Sequence, residues 1–147
     1  MAGYNPFQGK ELKFPTKYKK KVEGYCQTRP GGGAKPSPKD SPFSRQVDLW
    51  FLAFCVGLKK NRRSDEKLYK FITGEVLAND PDKIELLEIT AITVLKDPYA
   101  LKSPEKIIEM ANEFAAAGIG EILNALTTSK SEPLWNLSEY CQSIIKA

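Results

Sequence analysis

The chain has 147 residues, of which 41% are hydrophobic and 27% are charged, as in one ordinary globular domain. Histidine is absent, which excludes Ser-His-Asp and Cys-His catalysis and every metal site that needs imidazole. No apolar run approaches the roughly 18–20 residues that span a bilayer, and the N-terminus lacks a signal-peptide pattern. We therefore expect a cytoplasmic protein with no membrane partner.

Cysteine usage and charge give two further constraints. The three cysteines are widely spaced and form no CxxC pair, so we expect neither a disulfide framework nor a zinc site, and no cofactor. Residues 1–40 hold nine Lys and Arg against three Asp and Glu, whereas residues 64–147 have a net charge of −6. The N-terminal part of the chain is therefore basic and the C-terminal part is acidic, which predicts an oriented electrostatic surface with a basic front.

Residues 1–40 differ in composition from the rest of the chain. Proline and glycine are frequent, and GGGAKPSPKDSP has the composition of a linker. The stretch ELKFPTKYKKKVEGY has some alternation and aromatic residues, which allows a short strand or an extended arm. We expect residues 1–40 to form a basic extended arm and linker, and residues 41–147 to form a helical domain that folds without it.

From residue 41 onward the pattern is helical. The apolar stretch 41–57 has Ser41 or Ser44 as its N-cap, and its length and capping residues favour a central buried helix over a buried strand. Four further helices are predicted from capping residues, prolines and apolar periodicity: 64–74, 80–97, 103–118 with a short continuation beyond Gly118 and Gly120, and 132–147. The fold class expected is all-α, a compact bundle of about five helices after the basic arm.

The stretch FAAAGIGEIL, residues 114–123, combines three alanines with two glycines. Its small residues indicate close approach of a neighbouring helix at a helix C-terminus. The alternative is that backbone amides at the start of the next helical turn hold a phosphate. Packing is the favoured interpretation.

Two basic clusters are the candidate functional residues. The first follows the central helix and the second lies in the arm beside Tyr18 and Tyr25, a mixture of charge and aromatics typical of nucleic-acid binding. A solvated surface is the alternative for each. The candidate nucleic-acid-binding residues are Lys59, Lys60, Arg62, Arg63, Lys17, Lys19, Lys20 and Lys21.

The helical body also resembles a known family. The strings AFCVGLKKNRR, IELLEITAITVLKD and EMANEFAAAGIGEILNAL occur in that order between Pro42 and Leu126. This part of the chain resembles small accessory proteins of Dnd systems, which are encoded beside DNA phosphorothioation and related phage-defence genes. The resemblance covers neither the basic arm nor the final helix. It implies a non-enzymatic component that works on DNA with a larger partner, such as a DNA-translocating ATPase or nuclease.

Three functional hypotheses follow. The first is a DNA-associated accessory subunit of a bacterial anti-phage defence complex, which contacts phosphates without reading sequence. The second is a protein adaptor whose basic front docks on a larger ATPase or nuclease without touching DNA. The third, a carboxylate-based nuclease, has no supporting constellation of residues. We therefore expect no catalytic residue and no bound metal.

Overall fold

The computed structural model of the protein describes residues 5–27, 37–128 and 130–146. Helices make up most of this part of the chain, and two short strands form a small sheet. The strands are β1 (Glu11–Pro15) and β2 (Leu68–Thr73), and the α-helices are α1 (Lys19–Gly24), α2 (Gln46–Lys59), α3 (Pro81–Leu95), α4 (Pro104–Leu126) and α5 (Pro133–Lys146). Single 3₁₀ segments occupy Thr16–Tyr18, Gly74–Asn79 and Ala100–Lys102.

Helices α2 and α4 form the centre of the fold and approach each other closely at two glycines. A Cβ atom added at Gly57 would lie 2.0 Å from the carbonyl oxygen of Phe114. One added at Gly118 would lie 2.0 Å from the carbonyl oxygen of Ala53. Because these obstacles are backbone atoms, only glycine permits this helix spacing. The predicted close approach of a neighbouring helix at residues 114–123 is therefore confirmed, whereas the helix C-terminus expected there is not, because α4 continues to Leu126.

Strands β1 and β2 pair in antiparallel orientation, with Glu11 opposite Thr73 and Pro15 opposite Leu68. The register shifts between Leu12 and Lys13, as at a β-bulge. One face of the sheet covers α4, and the amide of Asn112 connects the layers. Its oxygen accepts hydrogen bonds from the Trp50 indole at 3.0 Å and from the Lys13 backbone at 2.8 Å, and its nitrogen donates to the Glu11 carbonyl at 3.0 Å. This buried side chain thus joins α2, α4 and β1 through three hydrogen bonds.

The described part of the predicted arm belongs to the core. Five fully buried side chains come from residues 5–27: Phe7, Leu12, Phe14, Val22 and Cys26. The Phe14 ring stacks on Phe71 of β2 with ring centroids 4.4 Å apart. For residues 5–27, the expectation of an extended arm outside the helical body is corrected, because their apolar side chains fill the same core as the helices. Residues 28–36 of the predicted linker lie outside the described residues.

The mostly helical expectation is confirmed, but the chain is not purely α-helical. Residues 68–73, predicted as part of a helix, form β2 because their aromatic and β-branched side chains pack against β1. Helix α4 runs without a break through Gly118 and Gly120 to Leu126.

The first long helix begins at Gln46 rather than at Ser41 or Ser44, and the Asp48 carboxylate accepts the Arg45 backbone N–H at 3.2 Å. The buried Ser41 hydroxyl instead donates to the Gly24 carbonyl at 2.7 Å.

Candidate nucleic-acid interface

The two predicted basic clusters lie at the same end of the sheet. The cluster 17–21 follows β1 directly, and the cluster 59–63 comes shortly before β2. In an antiparallel pair, the end of one strand lies beside the start of the other. The Thr16 backbone N–H accordingly donates to the Lys67 carbonyl at 3.0 Å, and the Lys17 ammonium lies 2.9 Å from Glu66. We call residues 17–21 together with residues 59–63 the basic face.

Helix α4 supplies the surface on which both clusters rest. The Lys60 ammonium lies 2.7 Å from one carboxylate oxygen of Glu121, and the Arg62 guanidinium lies 3.6 Å from the other. The Tyr18 hydroxyl would lie 2.9 Å from a Cβ atom placed at the adjacent Gly120. The C-terminal half of α4 therefore contacts one cluster through Glu121 and the other through Gly120.

Arg63 contacts α4 nearer to the start of that helix than Lys60 and Arg62 do. Its guanidinium pairs with the Glu113 carboxylate and lies over the Phe114 ring, 5.4 Å from the ring centroid. The Ser64 backbone N–H also donates to the Glu113 carbonyl at 3.0 Å. These contacts fix the course of the chain after residues 59–63 and neutralise the positive charge of Arg63.

The ion pairs shift the pKa of two groups in this region. Partial burial on its own would raise the pKa of Glu121, but hydrogen bonds from Lys60 and Tyr140, with the charges of Lys60 and Arg62, lower the pKa below its ordinary value. The hydrogen bond to Glu66 and the charge of that carboxylate raise the pKa of Lys17. Both shifts keep the paired groups charged at neutral pH.

The remaining cations of the basic face are less constrained. Lys20, Lys21 and Lys59 are exposed, and none of them forms an ion pair with a residue that the structure describes. The Lys19 ammonium lies over the Tyr69 ring, 5.4 Å from its centroid. The structure thus brings all eight predicted residues to one region but leaves three lysines as the cations most available to a ligand.

Sequence patterns alone missed the acidic members of this region and one further lysine. Glu66, Glu113 and Glu121 neutralise part of the basic face, and the exposed Lys67 lies between the second cluster and β2, where its backbone carbonyl accepts the Thr16 N–H. The only sequence signal was the spacing of Glu113 and Glu121, eight residues apart and therefore on one face of a helix. Their basic partners lie fifty or more positions earlier, beyond the reach of a local pattern.

A groove of about 550 Å³ lies beside the basic face, between β1, the segment before β2 and the first half of α4. Four of its six carboxylates are already paired: Glu105 with Lys10 at 2.6 Å, Glu11 with Lys13 at 3.7 Å, Glu66 with Lys17, and Glu113 with Arg63. Among the described residues, no group of three or more His, Cys, Asp or Glu could hold a metal ion. The groove is thus lined by ion pairs.

Cys55 and Cys141 are free thiols, and burial raises the pKa of both. No helix in the described ranges is long and apolar enough to cross a membrane.

No protein-family model, curated protein or solved structure matches the chain.

Proposed function

We propose that this chain is a non-enzymatic, DNA-associated accessory subunit that contacts nucleic-acid phosphates through its basic face. The observation that supports this proposal is the pairing of β1 with β2, which brings two basic clusters from distant parts of the sequence to one end of the sheet. Nine Lys and Arg lie in residues 16–24 and 59–67, against three Asp and Glu. Such a concentration of cations is the electrostatic footprint of a surface that binds a phosphate backbone.

The side chains of the basic face suit phosphates better than bases. Lys20, Lys21 and Lys59 are flexible point charges, which attract phosphate without the planar geometry that reads a base edge. Tyr18 and Tyr25 are half-buried and pack against the hydrophobic core, so their rings are used inside the molecule. Since free aromatic rings are what stack on unpaired bases, we expect duplex DNA to bind at least as well as single strands.

The biological setting is a separate part of the proposal. A bacterial anti-phage defence complex, with a larger DNA-translocating ATPase or nuclease as the partner, rests on the resemblance of the helical body to Dnd-associated proteins. The basic face would then hold DNA while the partner performs the chemistry.

One observation favours a second candidate function, a protein adaptor that docks on such a partner without touching DNA. Lys60, Arg62 and Arg63 already pair with carboxylates of α4, so the surface around the turn has alternating signs. A protein surface with its own alternating charges complements this arrangement, whereas a phosphate backbone must compete with Glu113 and Glu121.

Fluorescence anisotropy with two unrelated short duplexes and a single strand of the same length tests the proposal. DNA binding predicts similar affinity for the two duplexes and a loss of affinity as salt rises from about 50 to about 200 mM. No binding to any of these DNAs at the lower salt, together with a salt-sensitive complex with a purified protein partner, would support the adaptor instead.

A further inference from the structure

Helix α3 is apolar on two faces, only one of which packs against other residues that the structure describes. Ile84, Leu87 and Ala91 are buried. On the other side, Ile89 is 61% exposed, and Leu86 and Ile92 are each 37% exposed. Single exposed apolar residues are ordinary, but three at a spacing of three residues form a continuous stripe along a helix. We call Leu86, Ile89 and Ile92 the apolar stripe.

Opposite charges lie at the two ends of the apolar stripe. Asp82 is in the first turn of α3, and Lys96 is the residue that ends the helix. Both are exposed, and neither forms an ion pair with any residue that the structure describes. Two groups of opposite charge, separated along a helix, cannot reach each other within one copy but can each meet the other's equivalent in a second copy.

The positions of these residues are symmetric about Ile89. Leu86 and Ile92 lie three residues before and after it, and Asp82 and Lys96 lie seven residues before and after it. Seven residues are nearly two full turns, so Asp82 and Ile89 share one side of the helix. Lys96 directly follows the last helical residue, Leu95, in a left-handed conformation and lies at the opposite end of the stripe from Asp82. A twofold axis through Ile89 would therefore place every residue of the stripe opposite a complementary one.

We propose that the apolar stripe is the contact between two copies of this chain, with their α3 helices antiparallel about a twofold axis at Ile89. In this arrangement Leu86 packs against Ile92 of the second copy, and Asp82 pairs with Lys96 of the second copy. Glu85 falls opposite Thr93, so no like charges meet. Such a contact is isologous and closes on itself, giving a dimer.

The proposed contact is small, and this sets its expected strength. A single pair of short helices buries less than the roughly 1,600 Å² of a standard stable interface, so the dimer should dissociate on dilution. The proposal rests on α3 alone and stands independently of DNA binding by the basic face.

Sedimentation velocity of the full chain over a concentration series is the first test. The wild type should shift from monomer to dimer as concentration rises, and Ile89→Asp should shift this equilibrium at least tenfold toward monomer. Ile145→Asp, at an isoleucine of α5 that is 80% exposed, is the matched control and should dimerise like the wild type. A wild type that stays monomeric throughout, or an Ile89→Asp variant that dimerises normally, would overturn the proposal.

A charge exchange tests the antiparallel register. Asp82→Lys alone and Lys96→Asp alone each place like charges at both ends of the contact, so each variant should dimerise several-fold more weakly than the wild type. An equimolar mixture of the two variants restores opposite charges at both ends and should recover dimerisation. If the mixture dimerises no better than either variant alone, the proposed register is wrong.

Discussion

The Lys60 ammonium of the turn after α2 lies 2.7 Å from the Glu121 carboxylate of α4, and the same carboxylate accepts a hydrogen bond from the Tyr140 hydroxyl at 3.0 Å. Glu121 thus joins the basic face to α5 and also neutralises part of the positive charge of the basic face. This dual position makes Glu121 a sensitive site at which to test whether the basic face binds phosphate.

Glu121→Gln should strengthen DNA binding. The amide keeps the size and hydrogen-bonding capacity of the side chain but frees the charges of Lys60 and Arg62 for phosphate. We expect higher affinity and a steeper dependence on salt, by about 0.9 in the logarithmic slope for each additional phosphate that the variant neutralises. Anisotropy titrations at several salt concentrations measure both quantities.

The control for this change is Glu139→Gln, at an exposed glutamate of α5, which alters the net charge by the same amount. Equal increases in affinity in the two variants would mean that net charge alone acts, and the specific role of Glu121 would be lost.

The same carboxylate predicts a pH dependence of stability. Its folded-state pKa is lowered, so it stabilises the fold at pH values above the unfolded pKa of about 4.3. That stabilisation is lost as the pH falls through the folded-state value. Urea unfolding of wild type and Glu121→Gln should therefore show a wild-type advantage at about pH 7 that shrinks at about pH 3. An advantage of the same size at both pH values would contradict this assignment.

Gly118→Ala should destabilise the protein because its added methyl group meets the Ala53 carbonyl in the α2–α4 contact. Overpacking of this kind costs about 1–3 kcal/mol. Gly120→Ala is the matched control in the same helix, where the nearest atom belongs to the movable Tyr18 side chain. It should be neutral or stabilise by up to about 1 kcal/mol, since glycine is a poor helix former. Chemical denaturation measures both, and equal effects would argue against close backbone contact at Gly118.

Phe14→Ala tests whether β1 is part of the core. Phe14 is fully buried and stacks on Phe71, so its truncation should cost about 3–5 kcal/mol in the free energy of unfolding. Tyr99→Ala, at a residue that is 66% exposed, should change the free energy of unfolding by no more than about 0.5 kcal/mol. A neutral Phe14→Ala would restore the sequence-based expectation that this segment lies outside the folded body.

Local signals in the sequence located the long helices, though not the start of α2 or the end of α4, and failed where structure depends on distant partners. Helices α3, α4 and α5 each begin at a proline, Pro81, Pro104 and Pro133, and their starts were predicted. Strand β2 was missed because Leu68, Phe71 and Ile72 also fit helical spacing. Its identity depends on pairing with β1, which lies more than fifty residues earlier in the chain.

The candidate site, too, could be predicted from the sequence only in part. Its lysines and arginines were evident as runs of charge, and their common location follows only from strand pairing. Which cations are neutralised could not be predicted, because Glu113 and Glu121 reach them through the packing of α4 on α2. The break expected at Gly118 was wrong because that glycine serves contact between helices rather than helix termination.

The salt dependence of DNA binding by a variant with Lys20→Gln, Lys21→Gln and Lys59→Gln tests the central claim most directly. These three lysines come from both clusters, and none forms an ion pair with a described residue. If each contacts a phosphate, the logarithmic salt slope should flatten by about 2.7, and affinity should fall equally for unrelated duplexes. A control variant with Gln at three other exposed lysines, Lys39, Lys106 and Lys130, should keep the wild-type slope. Equal slopes in wild type and both variants would contradict the claim that the basic face holds DNA.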